Sequence, residues 1–298
     1  MAGLIWLGDL DAGQLFNQNF SPSKRALRLC SAVSSFTTVE KFQLMLTAAQ
    51  GLDPKAHDLS RESAAQTGGR ILSLLTTIAA EGKRNSSSIA GSLQSAWLPN
   101  ETDSSALISM AIILCADYEL TISSFVARCV ASTGSTPYSV VQAGLAALQG
   151  YKTGGESEKV FEILQRAKDK TGVGEILKTT LKRGERISGL GNRMHTDIDP
   201  RSKALLTRLG TMYKNSKRLD LIHAYMTFGE QLTGSKPNVD FSLAATAFVL
   251  GLPSGSAMTI YSLSRTIGWI GHAIEQYEQT ATFHPRAKYI GKMPSENL

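Results

Sequence analysis

The sequence predicts an all-α protein, and three observations carry that prediction. Apolar residues recur at helical spacing: Val160, Leu164 and Ala167 fall at i, i+4 and i+7, and Leu205, Leu209 and Met212 repeat the pattern. Strand-like alternation is nearly absent. Proline- and glycine-bearing stops at residues 21–23, 53–54, 199–200 and 251–254 cut the chain into helix-length pieces.

Taken in order, Ala106 to Ser132 is apolar around most of a helical circumference, which predicts one long buried helix. Val140 to Gln149 is small and apolar, and Tyr151-Lys-Thr-Gly-Gly then breaks the pattern. The following stretch is charged and amphipathic. Near Asp240 to Leu243 the chain turns strongly apolar again. Ser256 to Gln276, with Met258, Ile260, Leu263, Ile267, Ile270 and Ile274, predicts a second buried helix. A polar module between two apolar stretches is the pattern of a small domain inserted in a larger one. The expected boundaries are 1–152 and 244–298 for the large domain and 153–243 for the small one. Ligands favour the cleft between such units.

The 42% hydrophobic content supports a substantial core, and only 19% charged residues fits extensive burial, a subunit interface included. A net charge of +6 is too mild to imply nucleic acid. Much of the excess lies in Lys168, Lys170, Lys178, Lys182, Arg183, Arg186 and Arg193, either a solvated helical face or a landing patch for a phosphorylated ligand. The three cysteines, Cys30, Cys115 and Cys129, are odd in number, and the last two sit in apolar surroundings. They read as buried free thiols of a reducing compartment. The histidines show no metal-ligand spacing and no metal is expected; His223 and His272 have apolar neighbours and read as hydrogen-bonded core residues. The N-terminus lacks the build of a secretory signal. The most apolar run, Ala106 to Ala116, is too short to span a bilayer. A cytoplasmic protein with no membrane or nucleic-acid partner is expected.

Several polar residues stand where burial is predicted. Asp240, in "KPNVDFSLAATAF", reads either as a helix N-cap or as a general base whose burial raises its pKa. Arg265, in "SLSRTIGWIGHAIEQ", sits in a core helix and needs a partner. That partner is an internal acid, Asp117 or Glu119, or the carboxylate of a ligand held by the guanidinium fork. Arg201 offers a second fork. Asp117 and Glu119 read as structural acids inside the long helix. Glycosidase-type chemistry is set aside because acids two apart on a helix do not face each other. No Gly-x-Ser-x-Gly, phosphate-loop or dinucleotide fingerprint occurs.

These segments resemble, in order, those of the citrate synthase family. "AIILCADYELTISSFVARCVASTGSTPYSVVQAGLAALQG" is similar to the family's His-Ala-Asp-His-Glu-Leu-Asn helix and turn. "GLGNRMHTDIDPRSKALL" is similar to its Gly-Phe-Gly-His-Arg…Asp-Pro-Arg. "PNVDFSLAATAFVLGLP" is similar to its Asn-Val-Asp-Phe signature. "SRTIGWIGHAIEQ" and "HPRAKYIG" resemble its last helix and tail, and "LIWLGDL" its Leu-Leu-Trp-x-Gly-Glu-Leu helix. The chain begins late relative to that pattern, ahead of which the family carries a further segment.

The resemblance implies an all-helical homodimer with a large and a mobile small domain. It implies condensation of an acyl-CoA with a 2-oxo acid: an aspartate removes the α-proton, histidines stabilise the enolate and polarise the ketone, and arginines hold the acid. No cofactor is implied beyond the CoA thioester as substrate. Asp240 matches the base, and Arg201 and Arg265 match two carboxylate-holding arginines. Arg193 lies in the stretch the family uses near the CoA phosphates. Thr153 replaces the enolate histidine of Leu-His-Gly-Gly, and Asn192 the histidine of Gly-His-Arg. Cys115 and Tyr118 replace the His-Ala-Asp-His pair, and His284 replaces a tail arginine that in the family reaches the partner subunit. The expectation is altered or weakened condensation, with Asp240, Thr153 and Asn192 catalytic and Arg201, Arg265, Tyr118 and His284 binding substrate. The alternative is a non-catalytic ligand-binding or regulatory relative.

Overall fold

The computed structural model describes residues 1–15, 28, 32–83, 86, 88–101, 103–150, 155–192, 194–195, 197–279 and 281–291. Among them are thirteen α-helices and no strand; the only bridge joins Leu190 to Pro237. The helices are α1 (Ala2–Leu7), α2 (Thr38–Gln50), α3 (Arg61–Ala79), α4 (Ile89–Trp97), α5 (Ser104–Cys115), α6 (Ile122–Ala131) and α7 (Pro137–Leu148). They continue with α8 (Glu156–Arg166), α9 (Lys170–Lys182), α10 (Pro200–Met212), α11 (Arg218–Thr233), α12 (Val239–Leu250) and α13 (Ser256–Tyr277).

Local chemistry sets most of the starts. Thr37 and Glu40 form a reciprocal capping box on α2. Thr136 caps α7 and Asp199 caps α10, each followed by a proline at the first helical position, where no backbone donor is lost. The predicted helix from Ala106 to Ser132 is in fact two, α5 and α6. Glu119 takes a positive φ of 55° and Thr121 caps α6 through the Ser124 amide, so the chain turns across Asp117, Tyr118 and Glu119.

Helix α13 is the axis of the fold, buried along most of its length and packed on α1, α3, α5, α6 and α7. Trp6 of α1 donates its indole N–H to the Ile267 carbonyl at 2.8 Å, which docks the first helix on the last. Gly268 is pressed on the Ala116 carbonyl, which brings the turn after α5 directly over Arg265 and His272. The helices α8 to α12 pack mainly on one another, α12 against α8 and α10, and α9 against α11. They meet the rest where α10 and α12 touch α5 and where α8 and α12 touch α13. One continuous apolar core runs through both groups.

Candidate active site

Asp240 is the second residue of α12. The cap is Asn238, whose side chain accepts from the Phe241 amide at 3.2 Å, so the N-cap reading of Asp240 does not hold. Its carboxyl is therefore free of capping duty. Burial, followed by the negative charge of Glu156, pushes it up to about 7; Arg201 pulls in the opposite direction.

The loop before α10 is laced to the approach of α12. Gly189 donates to a Glu156 oxygen at 2.9 Å, and its carbonyl accepts from the Asn238 amide at 3.0 Å. Gly191 donates to the Lys236 carbonyl and accepts from the Asn238 side chain. Gly189 has φ 75°, and a Cβ there would strike Val160 and Phe241, so only glycine allows this approach. The result is a fixed wall that sets Glu156 beside Asp240.

Within that loop Asn192 is held at both its nitrogen and its oxygen. Its amide donates to Asp199 at 2.9 Å and its carbonyl accepts from the Met194 amide at 2.8 Å. Asp199 has no exposed surface and accepts from the Arg201 amide and from both Nε (3.1 Å) and Nη2 (2.7 Å) of the guanidinium. Burial alone would raise Asp199, but the Arg201 contacts and the Asn192 amide outweigh it and hold it low. Arg201 lies 3.6 Å from the centroid of the Tyr118 ring, a cation–π stack. The Tyr118 hydroxyl in turn meets Nε2 of His195.

Arg265 is completely buried. It donates to the Ser124 hydroxyl and lies 3.3 Å from Asp117, while its Nε finds no partner among the described residues. The internal partner expected for it is thus Asp117, not Glu119. Asp117 is also 3.3 Å from Nε2 of His272. Arg128 approaches Nδ1 of that histidine at 3.1 Å, and since arginine can only donate, Nδ1 accepts in that contact. His272 is therefore part of a polar chain rather than an apolar core, and His223 is exposed.

The cluster is a single electrostatic neighbourhood. The fields of Arg201, Asp240 and Arg265 all reach the buried Cys115 thiol and the Tyr261 phenol, each pushed up to about 12, first by burial. Asp240, Arg201 and Arg265 thus lie within electrostatic reach of Cys115, and Tyr118 joins them through its stack on Arg201. His284 lies on the exposed stretch after α13 and takes no part in the cluster. Thr153 and Arg193 lie outside the described residues, as does Cys30. Cys115 is buried as expected, and Cys129 only partly so. Beyond Asn192 a cleft of about 390 Å³ opens, walled by Leu181, Arg186, Ile187 and Leu190. Among the described residues no group of His, Cys, Asp and Glu could hold a metal ion.

Asp240, raised to about 7, thus lies in the field of Arg201 where the two helical groups meet. A sequence model of the citrate synthase C-terminal domain matches residues 14–286. The chain belongs to the citrate synthase family. Citrate synthase of Haloferax volcanii is 35% identical over 198 residues, covering 65% of this chain and 52% of that protein. The 2-methylcitrate synthase of Mycobacterium tuberculosis is 28% identical over 98% of this chain and 80% of that protein. With the first of these the match spans only about half the relative's length. Citrate synthase of Thermoplasma acidophilum, solved as a ternary complex with carboxymethyl coenzyme A and oxaloacetate, superposes over the whole chain with a TM-score of 0.83 at 23% identity, covering 86% of that chain. Citrate synthase of Thermotoga maritima gives 0.80 at 22%, over 100% of this chain and 86% of that one. The all-helical citrate synthase fold expected from the sequence is the fold observed.

One contributor to the site escaped the sequence reading. His195 sits three residues past Asn192 in a motif already singled out, but its partner is 77 positions away. The sequence leaves open whether Tyr118 and Glu156 plug the site; in the fold the charge of Glu156 reaches Asp240.

Proposed function

We propose that this protein condenses an acyl-CoA with a 2-oxo acid, with chemistry weakened relative to its family. One observation carries the reading: Asp240 stands free in the first turn of α12, raised to about 7, within the field of Arg201. A base near the working pH removes a carbon-bound proton most effectively. Arg201 and Arg265 are assigned to the substrate carboxylates, and Thr153 and Asn192 to the positions of lost histidines. The cleft beside Asn192, lined in part by Arg186, suits the CoA portion, and Arg193 is assigned to it by the resemblance of its sequence motif alone. Losing one preorganised donor to a developing oxyanion costs about 10²–10³ in rate, so turnover slower than that of an intact site by at least this factor is expected.

The same reading includes a homodimer. The corner between α5 and α6 exposes Ile113, Leu120, Ile122 and Phe125, and Phe283 of the tail stacks on Phe125 at 6.3 Å. An apolar patch of this kind favours a second copy, and His284 next to Phe283 would then face the partner's site. No helix among the described residues is long and apolar enough to cross a membrane.

A second reading, a ligand-binding relative without turnover, is favoured by the internal ties: Asp199 holds Arg201 and Asn192, and Asp117 holds Arg265. Thiol release from acetyl-CoA or propionyl-CoA with a panel of 2-oxo acids separates the two. Release above background is the expected outcome; a folded protein that binds oxo acid or CoA yet releases no thiol would establish the second reading.

A further inference from the structure

Condensation onto a ketone needs a donor where the carbonyl oxygen becomes an alkoxide. Asn192 stands at the family's position for that donor, yet Asp199 and the Met194 amide fix its side chain, and the one N–H left to it is neutral and cannot supply a proton. Three residues on, His195 reaches across to the turn after α5, where its Nε2 meets the Tyr118 hydroxyl, with ring centroids 5.9 Å apart. The Tyr118 ring lies over the Arg201 guanidinium at 3.6 Å. Arg201 has two of its nitrogens engaged by Asp199, which leaves Nη1 for a ligand oxygen. In a 2-oxo acid the ketone carbon is bonded to the carboxylate carbon. A hydroxyl on a ring stacked over the arginine that holds the carboxylate is therefore close to the ketone oxygen.

We propose that Tyr118 is a catalytic residue whose hydroxyl donates to the ketone oxygen, with His195 as the positioning residue that holds and re-protonates it. The proposal rests on the condensing function assigned above. In the addition step the enolate carbon of the thioester bonds to the ketone carbon and the C=O π pair moves onto oxygen. That oxygen takes the Tyr118 proton. Nε2 of His195 returns a proton, drawn in turn from solvent, to the phenolate, and Asp240 holds the proton lost from the thioester carbon. One carbon–carbon bond forms, one C–H and one π bond break, and no redox partner is required. Rival donors in the cluster fit less well: a thiol such as Cys115 is a weak donor, and the Tyr261 phenol, though within the field of Arg201, is not the ring stacked on its guanidinium.

The test separates ketone polarisation from binding and turnover. Oxaloacetate labelled with ¹³C at the ketone carbon is added to the full chain and followed by NMR. The bound ketone carbon is expected downfield of its free position. Tyr118→Phe, which keeps the ring over Arg201, is expected to abolish that displacement, weaken binding less than about tenfold, and slow thiol release by about 10². His195→Ala is expected to reduce both. His195→Gln is expected to restore the ¹³C displacement, because an amide can hold the phenol, but not the rate, because it cannot supply a proton. A bound ketone carbon that is undisplaced in the native protein, or that stays displaced in Tyr118→Phe, overturns the assignment of Tyr118 while leaving the condensing function intact. Failure of the native protein to bind the oxo acid overturns that function and this proposal together.

Discussion

At the scale of single residues, the decisive group is Asp240, because its environment fixes two measurable pH dependences. Its folded-state value of about 7 lies above its ordinary value of 3.8. The folded state therefore binds its proton more tightly than the unfolded state does. The stability this confers is fully present below about pH 4 and is lost as pH rises through about 7. Allowing for residual solvent access, the loss is on the order of 3 kcal/mol. Asp240→Asn should remove this dependence, giving a protein more stable than native at about pH 8 and similar to it near pH 4, as read by urea midpoints. Arg265 poses a different question, since Asp117 already answers its burial. Arg265→Met removes one partner of the ion pair and leaves Asp117 behind, a change that costs about 3–5 kcal/mol in a fully buried pair and less here, where Asp117 is partly exposed and keeps His272 beside it. Calorimetry on this variant is expected to show at least tenfold weaker oxo-acid binding together with a lowered thermal midpoint. Unaltered binding would leave Arg265 a purely internal partner of Asp117.

At the scale of elements, helix type and most starts were legible because caps and prolines act locally. Thr136-Pro137 and Asp199-Pro200 announce their helices in two letters. The break between α5 and α6 was not legible from periodicity, since Ile112 and Ile113 before it and Ile122 and Phe125 after it sustain an apolar run. The turn relies on Glu119 at positive φ, a conformation that no glycine or asparagine marks there. Asp240 was legible as a polar residue at an apolar helix start, but Asn238 two residues earlier takes the cap and frees it. Glycine has a packing role in the same region: a Cβ on Gly144 of α7 would lie 2.5 Å from the Trp269 ring of α13. Gly144→Ala is expected to cost about 1–3 kcal/mol by overpacking, seen as a lowered urea midpoint with unchanged slope.

At the scale of the whole molecule, the family and its all-helical fold were legible from a series of motifs in order. The links that assemble the site were not. Arg265 to Ser124 spans 141 positions and Tyr118 to His195 spans 77, and such pairs follow from packing of α13 and the loop before α10 on the turn after α5. The exposed apolar corner at Ile122 and Phe125 likewise becomes a surface only once α5 and α6 are seen as separate helices. Sedimentation should give twice the 32.1 kDa chain mass for the native protein. Phe125→Glu should shift it to the monomer, because an unpaired charge in an apolar interface costs several kcal/mol.

The central claim is that Asp240 still takes a proton from carbon. Its most direct test is the exchange of acetyl-CoA methyl protons with deuterium oxide, measured across the neutral range with native protein and with Asp240→Asn. Native protein is expected to catalyse exchange that climbs about tenfold per pH unit below about 7 and levels off above it, and Asp240→Asn to lose about 10² or more of that rate. Exchange that is absent in the folded native protein, or that survives in Asp240→Asn, would contradict the claim.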